Sequence, residues 1–152
     1  MPTPDFIAQN SRFFENILEH RFAFDLARQL VLEESPRLLN IMRSEVDAFG
    51  VDLVLSVADV SRHVQMKTRS GSPPANAYSI SEALWSISGG CVVWMRYDPV
   101  SLEPTNYNLF GLPIPTMDKF QKSDRKGFRM VKMQQATHRN LSIAALAKVL
   151  FP

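Results

Sequence analysis

The sequence predicts a single α/β domain with a mixed β-sheet and a C-terminal helical extension. One observation is its length of 152 residues, with 45% hydrophobic and 21% charged residues, which suits one ordinary globular domain. A second observation is a long helix-like segment near the start. A third is the series of strand-like segments that follows it, interrupted by one short helix. The resulting order of helix, three strands, helix and strand defines an α-β-β-β-α-β core.

The first helix is predicted over residues 11–34, which contain neither proline nor glycine. Apolar side chains recur in it at helical spacing, at Phe14, Leu18, Phe22, Leu26 and Leu30. Ser11 is a candidate N-cap, and Pro36 ends the helix because the residue before a proline disfavours the helical conformation. Residues 1–10, with two prolines, are expected to form a loose arm.

Three strands are predicted after this helix. Residues 38–45 form the first strand, which leads into a turn-like tetrapeptide at residues 47–50. Residues 51–57 (VDLVLSV) are rich in β-branched and apolar residues and form the clearest strand in the chain. A turn at residues 58–61 then leads to the third strand, over residues 62–68.

The rest of the chain supplies one more core helix, one more core strand and the extension. Residues 69–77, with a glycine and two prolines, are expected to form a loop. The later elements are a helix over 79–88 capped by Ser79, a buried strand over 91–97, a strand over 106–110 and a helix over about 141–150 with Asn140 as N-cap. The extension comprises residues 118–152.

The cysteine and hydropathy patterns favour a cytoplasmic protein with no membrane partner. A lone cysteine, Cys91, excludes an internal disulfide and a zinc site built from cysteines, so a reducing compartment is the default. The first residues do not combine a basic stretch with an apolar one, as a secretory signal does. No apolar run approaches the ~20 residues that a membrane helix needs.

Charge is distributed unevenly along the chain. The net charge is +2, but residues 118–152 carry eight Lys and Arg against two Asp. Such a basic segment is what a polyphosphate partner such as DNA requires. The residues expected to contact phosphates are Lys122, Arg125, Lys126 and, on the hairpin, Arg69. A solvated face without a ligand is an equally good interpretation of the basic segment.

One group of polar side chains stands out on the predicted hairpin. Gln65 and Lys67 are two residues apart and therefore share a face of their strand. If the turn is centred between Asp59 and Val60, Asp52 lies directly opposite Lys67, and the three polar groups cluster on that face. The opposite face is then almost entirely apolar, which supports this pairing. The alternative interpretation is an ordinary surface ion pair, which contributes only ~0–1 kcal/mol.

These residues lie in two stretches that resemble a known superfamily. Residues 43–55 (RSEVDAFGVDLVL) and 63–68 (HVQMKT) resemble the PD-(D/E)xK nucleases, and most closely the bacterial branches that carry D-x-G-x-D-L-V followed by x-Q-x-K. The superfamily has the restriction-endonuclease-like α-β-β-β-α-β core, which matches the predicted order across residues 11–98. The stretch RSEVDxxGxDLVL also resembles a family of small uncharacterised bacterial proteins.

The resemblance implies roles for four residues. Asp52 and Gln65 would be the metal ligands for Mg²⁺ or Mn²⁺, with Gln65 standing where most members carry Glu or Asp. Lys67 would orient the attacking water or stabilise charge on the phosphate. Glu19 would be the acid that many members add from the first helix, and Asp25 and Glu15 remain alternatives.

The resulting hypothesis is a metal-dependent endonuclease or phosphodiesterase that acts on DNA. Because Gln65 removes a negative charge from the metal site, the alternative is a catalytically degenerate binding or accessory protein on the same fold. A third reading is an unrelated small α/β protein. A homodimer or an accessory protein partner is compatible with each of these readings.

Overall fold

The computed structural model describes residues 2–45, 49–70 and 77–152. The helices in these ranges are α1 (Pro4–Gln9), α2 (Ser11–Val31) and α3 (Ile143–Leu150). The larger sheet has, in spatial order, β1 (Asn40–Arg43), β2 (Leu53–Val57), β3 (Val60–Ser70), β5 (Gly90–Tyr97), β6 (Pro104–Gly111) and β9 (His138–Leu141). The smaller sheet has the order β4 (Ala77–Ser81), β8 (Phe128–Lys132) and β7 (Gln121–Lys122).

The larger sheet is mixed, as the sequence predicted. Strands β3 and β5 run parallel over eight residue pairs, from His63–Gly90 to Ser70–Tyr97. The other neighbouring strands of this sheet are antiparallel. The α/β class, the mixed sheet and the C-terminal helix are therefore confirmed.

Apolar side chains cover both faces of the larger sheet. On one face, α2 and α3 pack against alternate residues of the central strands, including Leu53, Leu55, Val64, Val93 and Leu109. On the other face, the small sheet packs against Val92, Trp94 and Phe110 through Ile80 and Val131. The five residues that predicted the first helix, Phe14, Leu18, Phe22, Leu26 and Leu30, are all buried. The larger sheet is thus the middle of three layers.

The N-terminal expectations need two corrections. Residues 4–9 form helix α1 instead of a loose arm, because the Thr3 hydroxyl accepts a hydrogen bond from Phe6 N (3.2 Å) and caps the helix. Helix α2 begins at Ser11 as expected, but its N-cap is Asn10, and it ends at Val31, three residues earlier than predicted.

The core helix predicted at residues 79–88 is wrong. Ala77–Ser81 is strand β4, which pairs with β8, and only Glu82–Ser86 is helical, as a 3-10 helix. Its cap is Ser81, whose hydroxyl accepts a hydrogen bond from Ala83 N (3.3 Å), and not Ser79. The partner strand β8 comes almost fifty residues later in the basic segment, so the local pattern contains no sign of it.

The C-terminal helix α3 is fixed at both ends. Its N-cap is Ser142, whose hydroxyl accepts from Ala145 N (3.1 Å), and not Asn140. At the other end, Arg62 Nε donates to the carbonyl of Leu150 (2.7 Å), and Arg37 Nη1 donates to that of Phe151 (2.7 Å). Carbonyls at a helix end lack helical partners, and here two distant arginines supply them.

Two expected loops fall partly outside the described residues. Residues 46–48 are not described, and they include the first two residues of the predicted turn at 47–50. Residues 71–76 of the predicted loop at 69–77 are not described either. Arg69 belongs to β3, and Ala77 begins β4. Within the described residues, no helix is long and apolar enough to cross a membrane.

Candidate active site

The hairpin of β2 and β3 sets the positions of the predicted polar residues. Its two-residue turn is Ala58-Asp59, with Ala58 in the left-handed region (φ 51°), and Val57 pairs with Val60. Leu53 pairs with Val64, so the register continued by one residue places Asp52 opposite Gln65. The predicted pairing of Asp52 with Lys67 is therefore wrong by two residues. A two-residue shift leaves every side chain on its predicted face, because side chains alternate with a period of two.

A polar cavity of about 320 Å³ opens where β2 begins and β3 extends past it. We call it the acidic cavity. Its lining residues are Glu15, Glu19, Asp52, Gln65, Met66, Lys67, Thr68 and Tyr78. The structure thus brings together the four proposed site residues. Of the two alternative acids, Glu15 also lines this cavity, whereas Asp25 pairs with Arg21 (2.8 Å) and lines a different one.

Asp52 is held in place by backbone groups of the hairpin. Its Oδ2 accepts a hydrogen bond from Met66 N (2.6 Å), and its own amide donates to the carbonyl of Val64 (2.9 Å). Its carbonyl accepts from Ser44 N (3.0 Å), just past the end of β1. A hydrogen bond to an ionised carboxylate is short and strong, so Asp52 presents its carboxylate to the cavity in a fixed position.

Gln65 is buried, with 4% of its surface exposed. Its Oε1 has no hydrogen-bond partner among the described residues. Its Nε2 lies 3.1 Å from the position that a Cβ would take on Gly50, so the amide packs closely against that glycine. A buried acceptor without a partner costs roughly 1–3 kcal/mol, and a ligand that supplies a donor or a cation recovers that energy.

Glu19 reaches the cavity from α2 and lies under two opposing influences. Burial raises its pKa above the ordinary value, and the charge of Asp52 raises it further. Arg43, at the end of β1, donates to Glu19 Oε2 from Nη2 (2.6 Å) and partly lowers the pKa again. The repulsion between Glu19 and Asp52 means that a cation in the cavity would stabilise both carboxylates.

Lys67 and Tyr78 complete the cavity on the side of the small sheet. Lys67 is half-buried on β3, one residue past Met66. The Tyr78 ring lies 5.1 Å from that of Trp94, centroid to centroid. Burial raises the pKa of Tyr78, and Arg69 opposes this shift as a nearby cation and hydrogen-bond donor. Arg69 therefore lies beside the acidic cavity, apart from the other basic residues of the prediction.

The other basic residues that the sequence predicts to contact phosphates lie together at the turn between β7 and β8. They are Lys122, Arg125 and Lys126. They line a second cavity of about 340 Å³.

Sequence reasoning missed three residues of the site. Arg43 is 24 residues from Glu19 in sequence, and no local pattern links the two. Tyr78 belongs to β4, which was predicted as loop and helix. Gly50 lies in the predicted turn at residues 47–50, and no contact with Gln65 was predicted for it. The glycine of the D-x-G-x-D-L-V motif was the available signal for that contact.

The donor set suits a hard divalent cation. Carboxylate and amide oxygens are the ligands that Mg²⁺ and Mn²⁺ prefer. In the described part of the chain, no three His, Cys, Asp or Glu side chains are close enough to hold a metal by themselves. A metal in this cavity would thus need the Gln65 oxygen beside Asp52, and the unpartnered Oε1 fits that role.

No model of a known protein family matches the chain, and a comparison with curated proteins returned no match either. The functional conclusion therefore rests on the residues of the cavity and on the motif resemblance of residues 43–55 and 63–68.

Proposed function

We propose that the chain is a metal-dependent phosphodiesterase that cleaves DNA, with its active site in the acidic cavity. The observation that carries this proposal is the buried Oε1 of Gln65, which has no hydrogen-bond partner among the described residues and belongs to a side chain that lines the same cavity as Asp52 and Glu19. Asp52 and Glu19 repel each other, and the Gln65 oxygen accepts no hydrogen bond from the described residues. A divalent cation would reduce the repulsion and bind the amide oxygen.

The order of the elements supports a restriction-endonuclease-like core. Helix α2 precedes the antiparallel strands β1, β2 and β3, and β5 then runs parallel to β3. Asp52 directly precedes β2 and the QxK residues lie on β3, as in the PD-(D/E)xK pattern. The connection between β3 and β5 departs from that order, because its described residues form β4 and a 3-10 helix where the pattern has an α-helix.

Asp52 and Gln65 would hold Mg²⁺ or Mn²⁺, and Glu19 would add a third oxygen ligand. When bound, the ion supplies a water of lowered pKa and polarises the phosphodiester. The amide of Met66 keeps Asp52 oriented towards the cavity. Lys67 places an ammonium group in the same cavity, where it can stabilise negative charge that develops on the phosphate.

The proposal is tested with three variants and two matched controls. Asp52→Asn is expected to abolish Mn²⁺ binding by calorimetry and Mn²⁺-dependent cleavage of circular DNA. Lys67→Ala should retain Mn²⁺ binding and lose roughly 10²–10³-fold in kcat, because it acts on the transition state. The controls are Asp59→Asn, in the exposed hairpin turn, and Lys148→Ala, exposed on α3.

Gln65→Glu gives the most direct result. It restores the carboxylate usual at this position, so it should tighten Mn²⁺ binding if residue 65 is a ligand. The absence of Mn²⁺ binding in both the parent and the Gln65→Glu protein would refute the metal site and the phosphodiesterase with it.

A second candidate is a DNA-binding or accessory protein that does not catalyse. The observation that favours it is the neutral Gln65, together with the engagement of Glu19 by Arg43 (2.6 Å). Both features reduce the negative charge available to a metal. DNA binding without turnover at any Mn²⁺ concentration, with turnover appearing in Gln65→Glu, would establish this second function.

A further inference from the structure

The second cavity, at the turn between β7 and β8, is distinct in charge from the acidic cavity. We call it the basic turn cavity. Its lining residues are Glu82, Lys122, Ser123, Arg125, Lys126, Gly127, Phe128 and Arg129. Its volume of about 340 Å³ lies within the ~300–1,000 Å³ range of small-ligand sites.

Three cations of this cavity have no carboxylate partner in the part of the chain that the structure describes. Arg129 is paired with Glu82 (2.7 Å) and also donates to the carbonyl of Phe120. Lys122, Arg125 and Lys126 take part in none of the ion pairs found among the described residues. All three are exposed. The cavity therefore presents uncompensated positive charge to solvent, which favours an anionic ligand.

Arg125 is preorganised by an aromatic ring. Its Cζ lies 3.9 Å from the centre of the Phe128 ring. Its backbone amide donates to the hydroxyl of Ser123 (3.3 Å), and Ser123 in turn accepts from the hydroxyl of Ser79 (3.1 Å). The guanidinium thus lies over the Phe128 ring, while Arg125 as a whole is exposed. A guanidinium is a planar cation of the kind on which a nucleobase stacks.

The acidic cavity and the basic turn cavity are close to each other, and Ser81 on β4 lies between them. Ser81, on β4, pairs with Phe128 of the basic turn cavity. The Cβ of Ser81 lies 2.8 Å from the position that a Cβ would take on Gly50, and Gln65 Nε2 lies 3.1 Å from the same point. Paired strands are ~5 Å apart, so the path from Gln65 to Phe128 is about 10 Å, short enough for one nucleic-acid strand to reach both cavities.

We propose that the basic turn cavity binds a nucleotide of single-stranded nucleic acid, with phosphates on Lys122 and Lys126 and a base stacked on Arg125. A base can stack in this way only when it is unpaired, which selects a single strand. The site deepens the proposed function, on which it rests, since it would hold the strand close to the scissile phosphodiester. Binding itself needs neither a metal nor the acidic cavity.

The test measures binding of a fluorescein-labelled dodecamer of thymidylate by fluorescence anisotropy, in EDTA. Arg125→Ala should weaken binding about 5- to 100-fold, the range measured when a stacking residue is removed. Arg125→Lys should also weaken it, while the dependence on salt stays the same, because the charge is kept and the planar surface is lost. Lys126→Ala should reduce the salt slope by about 0.7, one phosphate contact on a single strand. Lys148→Ala on α3 is the matched control and should bind as the parent does.

Three results would overturn the proposal. One is equal affinity of the parent, Arg125→Ala and Lys126→Ala. Another is binding of Arg125→Lys equal to that of the parent, because it excludes stacking on the guanidinium. The third is tighter binding of a duplex than of a single strand of the same length, because it excludes selection of an unpaired base.

Measurements of binding in EDTA and of cleavage in Mn²⁺ separate this site from the proposed catalysis. Normal binding with no cleavage in Mn²⁺ by the parent would refute the phosphodiesterase alone. Cleavage with a KM unchanged in Arg125→Ala would refute the nucleotide site alone.

Discussion

The substitution Gly50→Ala adds one methyl group beside the acidic cavity and tests how closely Gly50 packs against Gln65. Its φ of +69° lies in the left-handed region, which disfavours any side chain. A Cβ there would lie 2.8 Å from the Cβ of Ser81 and 3.1 Å from Gln65 Nε2. The change Gly50→Ala therefore combines a conformational cost with a steric one, and the steric part acts directly on Gln65.

The magnitude of each part can be worked out separately. The left-handed conformation costs an alanine ~1–2 kcal/mol, and the stiffer unfolded chain returns ~0.4–1 kcal/mol, which leaves about 1 kcal/mol. Crowding in a packed site adds ~1–3 kcal/mol. Gly50→Ala should thus lose about 2–4 kcal/mol of unfolding free energy, or roughly 5–15 °C in Tm for a domain of this size.

Gly127→Ala is the matched control, because Gly127 has a φ of +80° and no atom within 4 Å of a Cβ added there. It should lose only the conformational part, about 1 kcal/mol. Urea denaturation followed by the fluorescence of Trp85 and Trp94 gives both free energies, with equal slopes expected. Gly50→Ala can also be introduced into a Ser81→Gly protein, in which the crowding Cβ of Ser81 is absent. There it should reduce the free energy of unfolding by less than it does in the parent.

Equal destabilisation by Gly50→Ala and Gly127→Ala would refute the close packing of Gly50 against Ser81 and Gln65. A parallel measurement of Mn²⁺ affinity adds a functional readout. Displacement of the Gln65 amide should weaken metal binding in Gly50→Ala but not in Gly127→Ala.

Two further predictions concern the charges around Glu19. Arg43→Met removes the cation paired with Glu19 (2.6 Å). Mn²⁺ should then bind about two- to fivefold more tightly by calorimetry, as expected from a partly exposed ion pair worth ~0.2–1 kcal/mol. Weaker Mn²⁺ binding would instead show that Arg43 positions Glu19. In EDTA, the raised pKa of Glu19 means that the folded chain binds its proton more tightly than the unfolded chain, so stability should decline as the pH rises from 4.5 through that raised pKa. Glu19→Gln should remove this decline in urea denaturation across the same pH series, and parallel curves for the two proteins would contradict the raised pKa.

The faces of the site hairpin could be predicted from the sequence, but its pairing could not. Alternation of polar and apolar residues places Gln65 and Lys67 on one face whatever the exact register. The register depends on the turn, and Ala58-Asp59 lacks the glycine or asparagine that usually marks a two-residue turn. Ala58 adopts the left-handed conformation without that signature, so the turn centre was placed one residue too late.

Helix α2 was predictable for a different reason. Its buried residues repeat every four positions along 21 residues, and such a long periodic signal survives errors at either end. The small sheet was not predictable, because its strands have only two to five residues and β4 pairs with β8 across a wide gap in the sequence. The basic turn cavity, which this sheet forms, was visible in the sequence only as a run of positive charge.

The late position of α3 in the chain has a consequence for biosynthesis. Leu146, Ala147, Leu150 and Phe151 are fully buried in the same core as the apolar side of α2. The hydrogen bond from Arg37 to the carbonyl of Phe151 spans 114 residues. At ~5–20 residues per second, a ribosome needs roughly 6–23 s to make the intervening chain.

Until α3 is made, the part of the α2 surface that α3 covers has no partner, although the strands that cover the rest have already been synthesised. Non-local contacts of this kind form slowly and leave intermediates prone to aggregate. This part of the core is therefore completed only after the ribosome has made α3, the last helix among the described residues.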